Sequence, residues 1–148
     1  MIDVRNPKVD IRAWGNEVHI ANFPDDGFCG KLLCLCKSYR SSIHRHKNKN
    51  KTLHLLGKDF EKPLVYFEAG NDPENMEGRL IYPGESINVF DGIWHRFNGL
   101  EDAVFVEVSQ PDVESERYKE MIGGLIPDFL NWKQSILETY GRKWWKRK

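Results

Sequence analysis

Apolar and polar residues alternate in short runs over the first two thirds of the chain, and turn-forming residues separate the runs. The alternation predicts strands over residues 31–37, 41–46, 52–56, 64–68, 79–82, 86–90, 95–98 and 103–109. Between them stand the groups that tight turns need: Pro24-Asp25-Asp26-Gly27, Gly57-Lys58-Asp59, Asn71-Asp72-Pro73, Pro83-Gly84 and Asp91-Gly92. Short strands at this spacing, with no helical pattern between them, predict a mainly β sandwich or barrel rather than a parallel α/β sheet.

The last third changes period. A short helix is expected over 112–121, with Gly123-Gly124 breaking it. A second is expected to start at an Asp128 cap and end at Gly141. Its apolar stripe, Phe129, Trp132, Ile136, Leu137 and Tyr140, has the spacing of a face packed on the strands. The division expected is therefore residues 1–111 as the β unit, with an N-terminal strand segment, and 112–148 as a helical extension packed on it, one domain overall. The cationic, tryptophan-bearing tail from Arg142 to Lys148 reads as a frayed end or as a contact for phosphate or a membrane surface.

Composition narrows the partners. The 148 residues are 40% hydrophobic and 30% charged with zero formal net charge, which describes a folded globular chain without the basic excess that broad nucleic-acid binding requires. No apolar run approaches the length of a membrane span, and the N-terminus carries no apolar leader. Three cysteines, Cys29, Cys34 and Cys36, are too few and odd in number for a disulfide framework, so reduced thiols and a cytoplasmic location are expected.

The chemistry concentrates in histidine. His44-Arg45-His46 places two imidazoles on one face of a strand, close enough to share a metal ion. Gly84, then Phe90-Asp91-Gly92, then His95 describes a strand, a tight turn and a return strand that opens with a third histidine. His54 is a further candidate if the Lys47–Lys51 loop preserves the strand parity.

These two glycine-framed elements resemble the two motifs of the cupin superfamily. His44, His46 and Gly57 stand at positions of the first, with Ser38 at its leading glycine. Gly84, Gly92 and His95 stand at positions of the second, with Phe90 for its proline and Gly99 for its asparagine. Within the superfamily, the segments WGNE at Trp14, CGKLL at Cys29, SIHRHK at Ser42, WHRF at Trp94 and GLEDAVFVEVS at Gly99 look like the small sugar-isomerase cupins of the D-lyxose ketol-isomerase and mannose-6-phosphate isomerase type. The resemblance implies a double-stranded β-helix (jelly-roll barrel) with C-terminal helices. It also implies a divalent metal (Mn, Zn, Ni or Fe) held by His44, His46 and His95, a sugar or sugar phosphate as substrate, aldose–ketose interconversion, and a homodimer paired through sheet edges.

One position departs from the family pattern. The metal-binding glutamate falls at Asn50 or Lys51, and neither is a carboxylate. Three imidazoles without a carboxylate also describe a dioxygenase site, and the loss of the carboxylate also describes a sugar- or sugar-nucleotide-binding cupin without catalysis. For isomerisation the candidate catalytic residues are Glu107, whose pKa burial would raise into the range of a base, and Lys51, as base or oxyanion partner. Lys47, Lys49 and Lys51 form a cationic rim suited to an anionic sugar. Lys31, Arg40 and Arg96 are further candidates for substrate contact, although Arg96 must face away from His95 on a regular strand.

Overall fold

The structure, a computed structural model, describes residues 1–111 and 114–142. In chain order its strands are β1 (Lys8–Arg12), β2 (Gly15–Ala21), β3 (Cys29–Leu35), β4 (Tyr39–Arg40), β5 (His44–His46), β6 (Lys51–Leu55), β7 (Val65–Gly70), β8 (Glu77–Ile81), β9 (Ser86–Val89), β10 (Trp94–Gly99), β11 (Ala103–Ser109), β12 (Ser115–Arg117) and β13 (Gly124–Leu125), followed by helix α1 (Phe129–Tyr140). One antiparallel sheet runs β1-β2-β3-β11-β6-β9. In the second, β4 and β5 pair with one edge of β10, at Asn98↔Arg40 and His95↔His44, while β7 takes the other edge and carries β8. β12 and β13 extend that sheet beyond β5 and β4.

The core lies where the two sheets face each other. Leu33, Leu35, Leu53, Leu55, Ala103 and Phe105 come from the first sheet, and Val65, Phe67, Ile81 and Phe97 from the second. The alternation read from the sequence is what builds this: along β3 and β6 every second residue is buried, and along β11 Ala103, Phe105 and Glu107 are. The inward faces are apolar toward Leu35, Leu55 and Ala103, and become charged toward Lys31, Lys51 and Glu107. That gradient leaves one end of the sandwich dry and opens the other as a site.

Two expectations for the C-terminal part of the chain are corrected. No helix forms at 114–121; Ser115–Arg117 is a strand paired with β5, and Tyr118–Glu120 is a single 3-10 turn, while residues 112–113 lie outside the described residues. The open edge of β5 offers backbone partners that a short isolated helix lacks, and the Arg45 guanidinium holds Glu116 at 2.8 Å across the pair. Among the described residues one C-terminal α-helix is present instead of two. Asp128 precedes it in a left-handed conformation (φ 47), so its carboxylate accepts from the Asn131 amide at 3.0 Å rather than capping the helix. The helical stripe does pack as expected: Trp132, Ile136 and Leu137 cover a second cluster of Tyr66, Leu80, Tyr82 and Leu100 on the outer face. The tail expectation falls on residues 143–148, outside the described residues. Arg142, at its start, bonds Glu85 at 2.5 Å.

The glycine framing of the histidine motifs has a backbone cause. Gly84 and Gly92 sit at φ 86 and φ 77, and Ser38, standing where the motif has glycine, is forced to φ 67. A left-handed serine costs roughly 1 kcal/mol. Ser38→Gly is therefore expected to raise stability by about 0.5–1 kcal/mol, net of the chain entropy a glycine adds. Urea denaturation checks this; a lower midpoint would mean that the hydroxyl's bond to the Lys37 carbonyl at 2.5 Å outweighs the strain.

Candidate metal centre and its lysine-lined cavity

Strand pairing assembles the histidines. His44 and His46 share the inward face of β5, and His95 stands directly opposite His44 on β10. The ring centroids are 4.3 Å apart for His44–His95, 5.5 Å for His44–His46 and 6.1 Å for His46–His95. One donor nitrogen of each ring lies within 4.8 Å of the others. His44 Nδ1 donates to the Ser42 carbonyl at 3.0 Å and His95 Nδ1 to the Ile93 carbonyl at 2.9 Å, which fixes the tautomers and leaves Nε2 to each as a lone-pair donor. His95 is fully buried, and its Nε2 has no hydrogen-bond partner. Burial, reinforced by the ammonium of Lys51, lowers the His44 pKa to about 3, and the same two causes hold His95 well below its ordinary value. Three imidazoles with donor nitrogens this close, one of them with a buried nitrogen lacking a hydrogen bond among the described residues, fit a first-row divalent ion such as zinc, manganese, nickel or iron with open coordination positions.

The low pKa values have a stability consequence. As pH falls below the ordinary histidine value of 6.5, the unfolded chain takes up protons that folded His44 and His95 refuse. Stability of the metal-free protein is then expected to fall by up to about 1.4 kcal/mol per pH unit for each of the two groups. Glu107 adds in the same direction only at lower pH, between its ordinary 4.5 and its folded value of about 2. Urea midpoints measured from pH 7 to pH 5, above the carboxylate range, isolate the imidazoles; a flat profile there would mean that they are charged in the folded protein.

The opposite wall belongs to the first sheet. Glu107 on β11 is 2% exposed and points inward, with Lys31 directly across the ladder on β3. Its carboxylate meets Lys49 Nζ at 3.1 Å and Lys51 Nζ at 3.8 Å, and it accepts from the Ser109 hydroxyl at 2.8 Å. Burial works to raise the Glu107 pKa, but Lys51, Lys49 and Lys31 overcome it and hold the carboxyl at about 2, opposite to the direction expected from burial alone. Burial lowers Lys51 to about 8 against the opposing pull of Glu107. Glu107, Lys31, Lys49, Lys51, His44 and His46 line a cavity of about 400 Å³, with His95 buried behind its wall, within the range of roughly 300–1,000 Å³ typical of small-molecule sites.

The loop after β5 decides which residues reach this cavity. Asn48 adopts a left-handed conformation (φ 59), and the loop docks on the Asp91-Gly92 turn through Asn48 N to Asp91 Oδ1 at 2.7 Å and Asp91 N to Asn50 Oδ1 at 2.8 Å. Lys49 and Lys51 thus turn inward and are buried, whereas Lys47 and Asn50 stay exposed. Of the two residues at the family's glutamate position, Lys51 is the one that lines the cavity. His54, by the same shift, faces the outside of β6 and bonds the Ser86 hydroxyl at 2.9 Å, so it is not a fourth ligand. Lys31 lines the cavity; Arg96 is buried away from it, with Arg40 among the charges that lower its pKa after burial itself.

Sequence reasoning missed Arg12, Glu17 and Arg117, which also line the cavity. Strand alternation in β1 and β2 was the available signal for the first two; Arg117 had none, because its strand exists only by pairing with β5. A second group of donors, Asp10, Glu17 and His19, lies within 4.8 Å, but its carboxylates are already bridged by Lys8 at 3.5 Å, Arg12 at 3.2 Å and Lys31 at 3.6 Å, and it is an ion-pair network. The cysteines are free, and Cys29 is buried beside Glu107.

Two facing antiparallel sheets with inward histidines at one end define a cupin fold, and comparison with solved structures bears this out. The capsular polysaccharide assembling protein CapF from Staphylococcus aureus superposes with a TM-score of 0.58 at 10% identity, over 83% of this chain and 35% of that one. KdgF from Halomonas sp. gives 0.56 at 14% identity over 74% and 90%, and ectoine synthase from P. lautus gives 0.57 at 16% identity over 80% and 83%. The chain thus spans about a third of CapF's length. No protein-family profile and no curated protein sequence matches it. Among the described residues no helix is long and apolar enough to cross a membrane.

Proposed function

We propose that this chain is a metal-dependent sugar isomerase that interconverts an aldose and a ketose in the cavity between its sheets. The observation that carries the reading is a group of three imidazoles, of which His44 and His46 line the same cavity as a buried lysine whose pKa is about 8. His44, His46 and His95 would hold the ion, which when bound supplies Lewis-acid polarisation of the sugar's oxygens. Lys51, in its neutral form, removes the proton from the carbon beside the carbonyl and returns it to the neighbouring carbon, a task that needs a pKa near the working pH. Glu107, held ionised near 2, is too weak a base for that step; it positions Lys51 and Lys49 and offsets part of their charge.

Incubation with divalent ions and D-lyxose, D-mannose or mannose 6-phosphate in deuterated water tests the reading. The expected result is chelator-sensitive conversion, with solvent deuterium entering at the carbon next to the carbonyl. A second reading, a sugar-binding cupin without catalysis, is favoured by the ammonium that Lys51 places where the resembled family has a carboxylate. Sugar binding without exchange or metal would select it, and oxygen uptake with a thiol would select the dioxygenase alternative.

A further inference from the structure

The polar wall of the cavity carries the proposed chemistry and leaves the rest of the lining without a role. Much of that remainder is apolar: Ile11, Ala13, Trp14, Leu33, Phe97 and Ile122. Trp14 differs from these neighbours in offering both a flat apolar face and a hydrogen-bond donor. It stands in the turn between Arg12, the last residue of β1, and Gly15, the first of β2. Half-buried, it packs against the apolar cluster between the sheets while also lining the cavity. The turn holds it there. The Trp14 carbonyl accepts from the Cys36 N–H at 2.9 Å, and Gly15, at φ 150, lies so close to β3 that a Cβ would overlap the Cys34 carbonyl. The other two described tryptophans are engaged: Trp94 lies under the Arg45 guanidinium and against Tyr118, and Trp132 meets Tyr66 and Phe129. Among the described residues the Trp14 ring has no aromatic or cationic partner, and its Nε1–H makes no hydrogen bond.

A sugar ring has the complementary surface. Its hydroxyls project from the rim, and one side of the ring presents C–H groups, apolar and weakly positive, that fit the negative face of an indole. Small-molecule sites combine an apolar lining with a few placed polar groups in this way. We propose that Trp14 is the platform for the closed ring of the sugar, stacking on its C–H face and turning its hydroxyls toward His44, His46 and Lys51 in the same cavity. This rests on the reading of the cavity as a sugar site, and it adds a selection rule. A closed ring is favoured over an open-chain polyol with equivalent hydroxyls. An indole fixed before the ligand arrives loses little rotamer freedom on binding.

Calorimetric titration of the chelator-treated full chain with D-mannose and with D-mannitol, its open-chain polyol, tests this with turnover silent. The parent is expected to bind D-mannose about 10-fold more tightly than D-mannitol, the weight of one ring stacked on an indole. Trp14→Ala should erase that preference, weakening D-mannose about 10-fold and leaving D-mannitol unchanged. Trp14→Phe keeps an aromatic face and apolar packing on the core, and should retain D-mannose affinity within about 3-fold. A thermal melt beside it separates loss of stacking from loss of fold. D-Mannose should also change the tryptophan emission of the parent but not that of Trp14→Phe, although the other tryptophans remain. Equal binding of the two ligands by the parent, or a Trp14→Phe variant whose emission still responds, would overturn the proposal. Conversion of sugar that is indifferent to Trp14 removes this inference alone. Trp14-dependent binding without deuterium exchange in the metal-loaded protein removes the isomerase reading alone.

Discussion

A His44→Ala/His46→Ala double variant is expected to lose stoichiometric binding of zinc, nickel or manganese while keeping its fold. The hydrogen-bond partner of a metal ligand is by itself worth about 10–100-fold in affinity, so loss of two ligands outright should cost at least ~10⁴-fold. The fold should survive because neither residue belongs to the apolar cluster between the sheets, and both are only partly buried. His95 is left in place because it is fully buried between Trp94 and Arg96 on β10, where a cavity would confuse stability with binding. Elemental analysis after equilibration with each ion, beside a thermal melt, gives the answer. Equal metal content in parent and variant would mean that the ion sits elsewhere, and the imidazoles would be structural.

Lys51 is expected to produce opposite effects on metal and on turnover. Lys51→Glu restores a carboxylate to the face that looks toward the imidazoles and removes an ammonium, and it should tighten divalent binding by roughly 10–100-fold. Lys51→Met removes the charge without adding a ligand, so it should give a smaller gain; the difference between the two measures the carboxylate. Asn50→Glu, at an exposed position that instead holds the Asp91 turn, should leave metal affinity unchanged. Lys51→Met should also lower kcat by about 10²–10⁴-fold, the usual worth of a positioned acid–base group. In the parent, turnover should rise with pH through about 8 as Lys51 loses its proton; in Lys51→Met that limb should vanish. If neither Lys51→Glu nor Asn50→Glu improves metal binding, the cavity has no metal role and the sugar-binding reading takes its place.

The local pattern of the chain determined a good deal by itself. Period-two alternation gave the inward faces of β3, β6 and β11, because side chains on a strand must alternate. Turn residues with left-handed backbones marked the ends of the hairpins, and the spacing of His44, His46 and His95 within glycine-framed segments marked three side chains that β5 and β10 bring together. The stripe from Phe129 to Tyr140 gave α1 and its buried side for the same reason, with a period of 3.6 instead of two.

What only the tertiary structure decided were quantities that depend on distant partners. Strand parity is lost across a loop, so nothing in Lys47–Lys51 tells that the left-handed Asn48 and its docking on Asp91 turn Lys49 and Lys51 inward and His54 outward. β12 exists because β5 presents an open edge, and a local reading of the same residues favoured a helix. The sign of the Glu107 shift is likewise non-local. Burial alone raises a carboxyl's pKa, and only the assembly of β3, β6 and the Lys49 loop around it brings three ammonium groups close enough to reverse that effect.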